Sequence, residues 1–166
     1  MQTTIVPRID SATRKTFEYM ALRTDVTELK ESEAYLKESQ TQLWNTINSS
    51  EHEIWSINKE FKLLTYNQRF KENFKKHFKV ELHRGQDMMA LEHFPAELSK
   101  TWRKRYQTAF KGETELYYDK YQDPFSRESR EVEVTVYPTF SLEGEIMGAN
   151  VFSQDISELR KYQNEL

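Results

Sequence analysis

The sequence predicts a mixed α+β domain in which strands gather at both ends of one segment and helices lie between them. Two observations predict it. Short runs of alternating apolar and polar residues occupy about 53–66 and 115–154, whereas the stretch between them carries apolar residues at helical spacing. A hexad also occurs twice, Asp25-Val26-Thr27-Glu28-Leu29-Lys30 and Asp155-Ile156-Ser157-Glu158-Leu159-Arg160, 130 residues apart. Thr4-Ile5-Val6-Pro7 precedes the first copy much as Thr135-Val136-Tyr137-Pro138 precedes the second. The offset therefore measures a repeating unit, and the chain reads as one complete unit preceded by the tail of another.

Composition bounds the rest. A length of 166 residues suits one ordinary domain with extensions. Hydrophobic residues at 37% supply a core, and charged residues at 31% imply a well-solvated exterior with exposed helices. The 24 basic and 27 acidic residues nearly cancel, so the long positive field of a nucleic-acid binder is missing and no nucleic-acid partner is expected. The chain has no cysteine, which excludes disulfides, thiolate catalysis and cysteinyl cofactor adducts and fits a cytoplasmic setting. No apolar run approaches the roughly 20 residues needed to cross a bilayer, and no secretory signal pattern opens the chain. No membrane contact is expected of this segment.

Residues 3–9 and 16–24 read as two extended runs joined by a polar turn, a hairpin. Two strands alone bury too little to be stable in water, so Ile5, Val6, Phe17, Tyr19, Met20 and Leu22 call for partners outside the hairpin. A helix is expected over about 27–46, rich in Glu, Lys, Gln and Leu and free of Gly and Pro. Val26, Leu29, Leu36, Leu43 and Ile47 fall on the a and d positions of a heptad, with Glu33 and Gln40 at the intervening a positions. Such a helix is suited to loose parallel pairing; a lone amphipathic helix lying on its own domain is the alternative.

Strands are expected at 53–58 and 61–66 around a turn at Lys59-Glu60, and Asn67 is placed to cap a short helix running to about Lys79. Phe70, Phe74 and Phe78 share one face of that helix, packed on a sheet. After an irregular stretch over 80–94, Pro95 suits the first position of a longer helix ending near Lys111, with Leu98, Trp102, Tyr106, Ala109 and Phe110 as its buried stripe. Gly112 stops it, and strands follow at about 115–121, 130–137 and 146–154, the last pair joined by a turn at Ser141-Leu142-Glu143-Gly144. Lys71 to Lys79 and Arg103-Lys104-Arg105 read as solvated basic faces. Each hexad reads as a capping box at a strand-to-helix junction, with Asp first and Glu three positions on.

The order of elements, together with Asn67-Gln68-Arg69-Phe70, Phe110-Lys111-Gly112-Glu113, Val134-Thr135-Val136-Tyr137-Pro138 and the run from Gly148 through Asp155-Ile156-Ser157, resembles the PAS sensor domain. The last three residues stand where the family carries its Asp-Ile-Thr signature. The resemblance covers about 48–157 and, through the repeat, makes 1–26 the final hairpin of a preceding PAS domain whose first half is absent. Residues 27–47 become a linker helix and 158–166 the start of the next one. It implies a five-stranded antiparallel sheet in the order 2-1-5-4-3, with helices on one face. It also implies a sensory or signal-transmission module of a bacterial protein, typically the input region of a sensor histidine kinase, with adjacent PAS and effector domains as partners and a parallel homodimer through the flanking helices. The residues assigned to transmission are Asp25, Asp155, Ile156, Glu158 and Leu159.

The same resemblance restrains the cofactor. Flavin and cinnamoyl photosensors of this fold use a cysteine, and haem-binding members carry a histidine on the long helix, where this chain has none; His93 lies just before it. No cofactor is expected, with non-covalent flavin or another small ligand left open. His52, His77 and His83 lack metal-ligand spacing, so no metal is expected. The residues placed around a cavity are Trp55, Phe70, Phe74, Met88, Met89, Trp102, Tyr106, Val134, Val136 and Phe152, which a plain core would equally use. Hydroxyls of Tyr106, Tyr117 or Tyr118 could orient a ligand or face solvent. Two other classes stand beside the sensor: a ligand-independent dimerisation or spacer module in a chemoreceptor or cyclic-dinucleotide enzyme, and, remotely, a small α+β cone enzyme. No Ser-His-Asp, paired-carboxylate or phosphate-loop constellation supports catalysis.

Overall fold

The computed structural model describes residues 2–91, 94–122, 127 and 129–164, which fall into two compact units divided between Asn45 and Thr46. In the first unit, β1 (Gln2–Ile9) and β2 (Thr16–Thr24) form an antiparallel hairpin with Val6 opposite Met20. Its turn is wound by Asp10, whose Oδ1 accepts from the Ala12 and Thr13 amides at 2.9 and 2.7 Å. Ile5, Val6, Ile9, Tyr19 and Met20 are all exposed. The side chains of Phe17 and Leu22, which the sequence also marks as needing partners, lie outside the described residues.

The long helix α1 (Thr27–Asn48) opens where Asp25 Oδ1 accepts from the Thr27 amide and hydroxyl at 3.0 and 2.7 Å. None of its residues is buried, and Leu29, Leu36 and Leu43 are each more than half exposed.

The second unit contains β3 (Glu53–Asn58), β4 (Leu63–Tyr66), α2 (Gln68–Phe78), α3 (Ala96–Ala109), β5 (Glu115–Gln122), β6 (Ser129–Phe140), β7 (Ile146–Asp155) and α4 (Ser157–Asn164). The five strands form one antiparallel sheet in the order β4-β3-β7-β6-β5, which is 2-1-5-4-3 counted within the unit. The period-2 alternation of strand side chains places Trp55, Ile57, Val134, Val136, Ala149 and Val151 on one buried face. Phe70, Phe74, Tyr106 and Ala109 cover that face from α2 and α3. The connection between those helices is tied to β4 and the turn before it by three backbone bonds: Leu63 N to Gln86 O, Gly85 N to Leu63 O and Met88 N to Phe61 O.

Asn67 joins more of the unit than a helix cap does. Its Oδ1 accepts from Phe70 N and Ile54 N, both at 3.0 Å, and its Nδ2 donates to Ile47 O and His52 O at 3.2 and 2.8 Å. One fully buried side chain thus fastens the end of α1, the start of β3 and the start of α2.

Several expectations are corrected. Phe61 does not open the second strand: Asn58 Oδ1 accepts from Glu60 N and Lys62 N, tightening the turn, and Phe61 takes φ +60. Its ring packs on Phe110 and Tyr106, so burial offsets the backbone cost and the strand begins at Leu63. Pro95 is the N-cap of α3 rather than its first residue, and that helix ends at Ala109 with Gly112 at φ +91 closing the turn. Arg105 is not on a solvated face. It is buried and its two terminal nitrogens donate to Asp119 at 2.7 and 2.6 Å.

Candidate functional site

Alternation along β3 turns Glu53, Trp55 and Ile57 to the helical side of the sheet, and alternation along β7 turns Ala149, Val151 and Ser153 to the same side. In the pairing register Glu53 lies opposite Ser153, and Ser153 opposite Val134, so these three form a row across the sheet. On α2, Phe70, Asn73, Phe74, His77 and Phe78 recur at intervals of three and four and face the row. α3 contributes Leu98, Trp102, Arg105 and Tyr106. Between them lies a cavity of about 720 Å³.

Its walls are largely aromatic. Trp55 stacks on Phe70 at 4.2 Å between centroids and meets Trp102 edge-on at 5.3 Å. The Trp55 indole donates to the Tyr106 hydroxyl at 2.9 Å. Burial, first of all, holds the Tyr106 phenol well above its usual range, so it is neutral and keeps its proton. Since an indole only donates, Tyr106 must accept there, and no described residue takes the Tyr106 proton in turn.

One end of the cavity is polar. Asn73 Nδ2 donates to Glu53 Oε1 at 2.6 Å, and His77 Nδ1 lies 2.7 Å from Asn73 O. Burial pushes the Glu53 carboxyl up, against the pull of the Asn73 bond and of His77 and Arg69. A smaller hollow of about 170 Å³ adjoins this end and shares Glu53, Asn73, His77 and Ser153 with it.

Two positions farther along β7, Asp155 begins the exit to α4. Its Oδ1 accepts from Ser157 N at 2.9 Å and its Oδ2 from Arg130 Nη1 at 2.6 Å. Burial raises the Asp155 carboxyl, but the bonds from Ser157 and Arg130 outweigh it and hold the group below its ordinary value. Buried Ile156 donates its amide to Glu131 O at 2.8 Å, and the Ser157 hydroxyl accepts from Glu131 N at 2.9 Å. The junction is therefore fastened to β6 as well as to β7.

The sequence-derived residues separate by face. Trp55, Phe70, Phe74, Met88, Met89, Trp102, Tyr106 and Val134 line the cavity. Val136 is buried in the core beside it without lining it. Phe152 is corrected: it projects from the opposite face of the sheet, edge-on to Tyr137, because it alternates with Val151 and Ser153. The Tyr117 hydroxyl donates to Glu115, and Tyr118 is exposed although it contributes to the cavity lining.

The capping-box expectation also fails. α4 starts at Ser157, so Asp155 sits one residue before the N-cap and makes an Asx turn, while Glu158 and Leu159 are exposed. His93 lies outside the described residues.

Glu53, Asn73 and Ser153 were not singled out from the sequence, which named His77 only as a histidine without metal-ligand spacing and Arg105 only as part of a solvated basic face. Extending the Trp55 alternation back by two, the Val151 alternation forward by two, and the Phe70–Phe74 helical face by three would have found three of them and His77 as well.

An antiparallel sheet that holds a cavity under helices on one face, and ends in a strand that leads through an Asx turn into an outgoing helix, defines an α+β domain with a one-sided helical cover. A family model described as the PAS fold matches residues 48–161, and the chain belongs to that family. Domains of the family are generally sensory, non-catalytic modules. Solved structures of similar fold include the phage VqmA–DPO complex, at 15% identity and TM-score 0.57, covering 84% of this chain and 61% of that one. They also include the PAS domain of an HTR-like protein from Haloarcula marismortui, at 20% identity and TM-score 0.52, covering 76% and 99%. A sensory box sensor histidine kinase from Vibrio cholerae follows at 15% and 0.51, covering 75% and 97%. At these identities the likeness is one of fold. A search of curated proteins finds no match. No helix among the described residues is long and apolar enough to cross a membrane.

Proposed function

We propose that this chain is a sensory relay segment of a cytoplasmic bacterial signalling protein, most simply the input region of a sensor histidine kinase. The observation that carries the reading is that one strand serves both ends of the relay. β7 presents Ser153 to the cavity and, two residues later, Asp155 to the first turn of α4. A change in what fills the cavity reaches Ser153 and Glu53 directly. From there it bears on the Arg130–Asp155 pair and on the Glu131 contacts that seat Ile156 and Ser157. A VqmA dimer and a sensor kinase are among the folds that this domain resembles, which favours signalling through an assembly.

The flanking helices are proposed to pair in parallel, α1 through Leu29, Leu36 and Leu43 and α4 through Leu159. Residues 1–26 are proposed to complete a preceding domain of the same fold, with Asp25 repeating the junction made by Asp155. The exposed apolar residues of α1 also favour a second reading, a ligand-independent spacer that transmits torque through paired helices.

Hydrogen exchange on the whole chain separates the two. Val134→Phe, which intrudes on the cavity, should change the exchange rates of the α4 amides several-fold, and the effect should vanish in Val134→Phe/Asp155→Ala. Identical α4 exchange in wild type and Val134→Phe, with the fold intact, would leave the spacer.

A further inference from the structure

The sensory reading leaves open what the cavity takes, and its polar groups constrain the answer. The Tyr106 hydroxyl accepts from Trp55 and has a proton with no described acceptor, at the buried aromatic end. An acceptor atom on a ligand would complete it. At the other end Glu53 takes one described hydrogen bond, from the neutral amide of Asn73, although a carboxylate offers about four lone-pair sites. The Ser153 hydroxyl stands beside it in register, lines the same space and has no described hydrogen-bond partner.

The cations that line the cavity are engaged elsewhere. Arg105 is held in a fork by Asp119, and Lys120 pairs with Glu131 at 3.0 Å. In the adjoining hollow Arg130 is held by Asp155 at 2.6 Å, and His77 and Arg69 already act on Glu53. An anionic ligand would thus meet Glu53 with no uncommitted positive charge to offset it, whereas an N–H group would find a buried carboxyl short of donors.

We propose, on the reading of the cavity as a sensory site, that its ligand is a small planar heteroaromatic amine. The ring lies among Trp55, Phe74 and Trp102, an acceptor atom of the ring faces the Tyr106 hydroxyl, and an amino or N–H donor faces Glu53 and Ser153. Aromatic walls stabilise a flat π-system by offset or edge contacts of about 0.5–1.5 kcal/mol each. The volume of about 720 Å³ accommodates a fused two-ring body.

Calorimetric titration of the whole chain at neutral pH with 6-aminoquinoline, quinoline and quinoline-6-carboxylate tests this, since the first carries an acceptor and a donor at opposite ends. The amine should bind about tenfold or more tightly than the carboxylate. Glu53→Gln should remove most of that preference, Ser153→Ala should reduce it, and Tyr106→Phe should weaken both amine and parent quinoline. Each variant is first checked by near-ultraviolet circular dichroism for an intact core. A carboxylate that binds as well as the amine, or a preference that survives both Glu53→Gln and Ser153→Ala, overturns the ligand class while leaving the cavity a binding site. Absence of binding by all three compounds at millimolar concentration overturns the small-molecule reading of the cavity along with it.

Discussion

Asn67 makes four hydrogen bonds from a side chain with no solvent exposure, so it acts as a rivet between segments distant in sequence. Truncation takes one hydrogen bond each from two amides and two carbonyls in a partly buried setting, beyond the loss of a cap. Asn67→Ala should cost about 2–3 kcal/mol, read as a lower urea midpoint for the sheet domain. Asp in its place should rescue only part, because it cannot donate to Ile47 O and His52 O at neutral pH.

Glu53 works in the opposite sense. Its proton is held more tightly in the native state than in the unfolded chain, so its unfavourable contribution is absent at low pH. That contribution grows as pH rises from the ordinary value of 4.5 through the raised native value. Glu53→Gln should therefore raise the Tm at neutral pH, and the difference should fade below pH 4.5; a variant less stable at neutral pH contradicts the burial argument. A residue that costs stability at a cavity wall is a mark of a site retained for binding. At this scale the cap at Asn67 was legible in the spacing, but its two outgoing bonds were not. They depend on where Ile47 and His52 arrive, and no local rule fixes that.

At the scale of elements, periodicity told strand from helix throughout the sheet domain, and β3 spans the residues expected of it. Boundaries moved where a side chain overrode the local pattern, as Asn58 did in delaying β4 and in leaving Phe61 to the core. Phe152 shows the limit of composition as a guide: an aromatic residue in a strand belongs to whichever face its parity assigns, and here that is the outer one.

β7 is the central strand of the sheet, paired with β3 on one side and β6 on the other. A Cβ at Gly148 would stand 1.9 Å from Ile57 O of the neighbouring strand. Gly148→Ala must push β3 and β7 apart and should cost about 3 kcal/mol by thermal unfolding, although its φ alone would tolerate alanine. Gly85→Ala meets no neighbour within 4 Å and should suffer only the cost of its positive φ.

At the scale of the whole molecule, the exposed apolar residues of the hairpin and of α1 are the ground for the proposed pairing with other surfaces. The repeated hexad points the same way, because it is the ground for the proposal that 1–26 belongs to a second unit. Charge balance and helical spacing could not say what covers the heptad leucines. The purified chain is expected to be dimeric at micromolar concentration, and Leu36→Lys should raise the dissociation constant about tenfold or more by placing a charge in the seam. Sedimentation equilibrium decides it: a monomer at every micromolar concentration ends the paired-helix proposal.

The tryptophans give these proposals their own reporters. Trp44 is partly exposed on α1, whereas Trp55 is buried against Phe70 with its indole bound to Tyr106. Emission from the first should respond to helix pairing and from the second to occupancy of the cavity. With Trp102 and either Trp44 or Trp55 replaced by Phe, the two single-tryptophan versions of the chain would show by colour and lifetime which of the two events comes first.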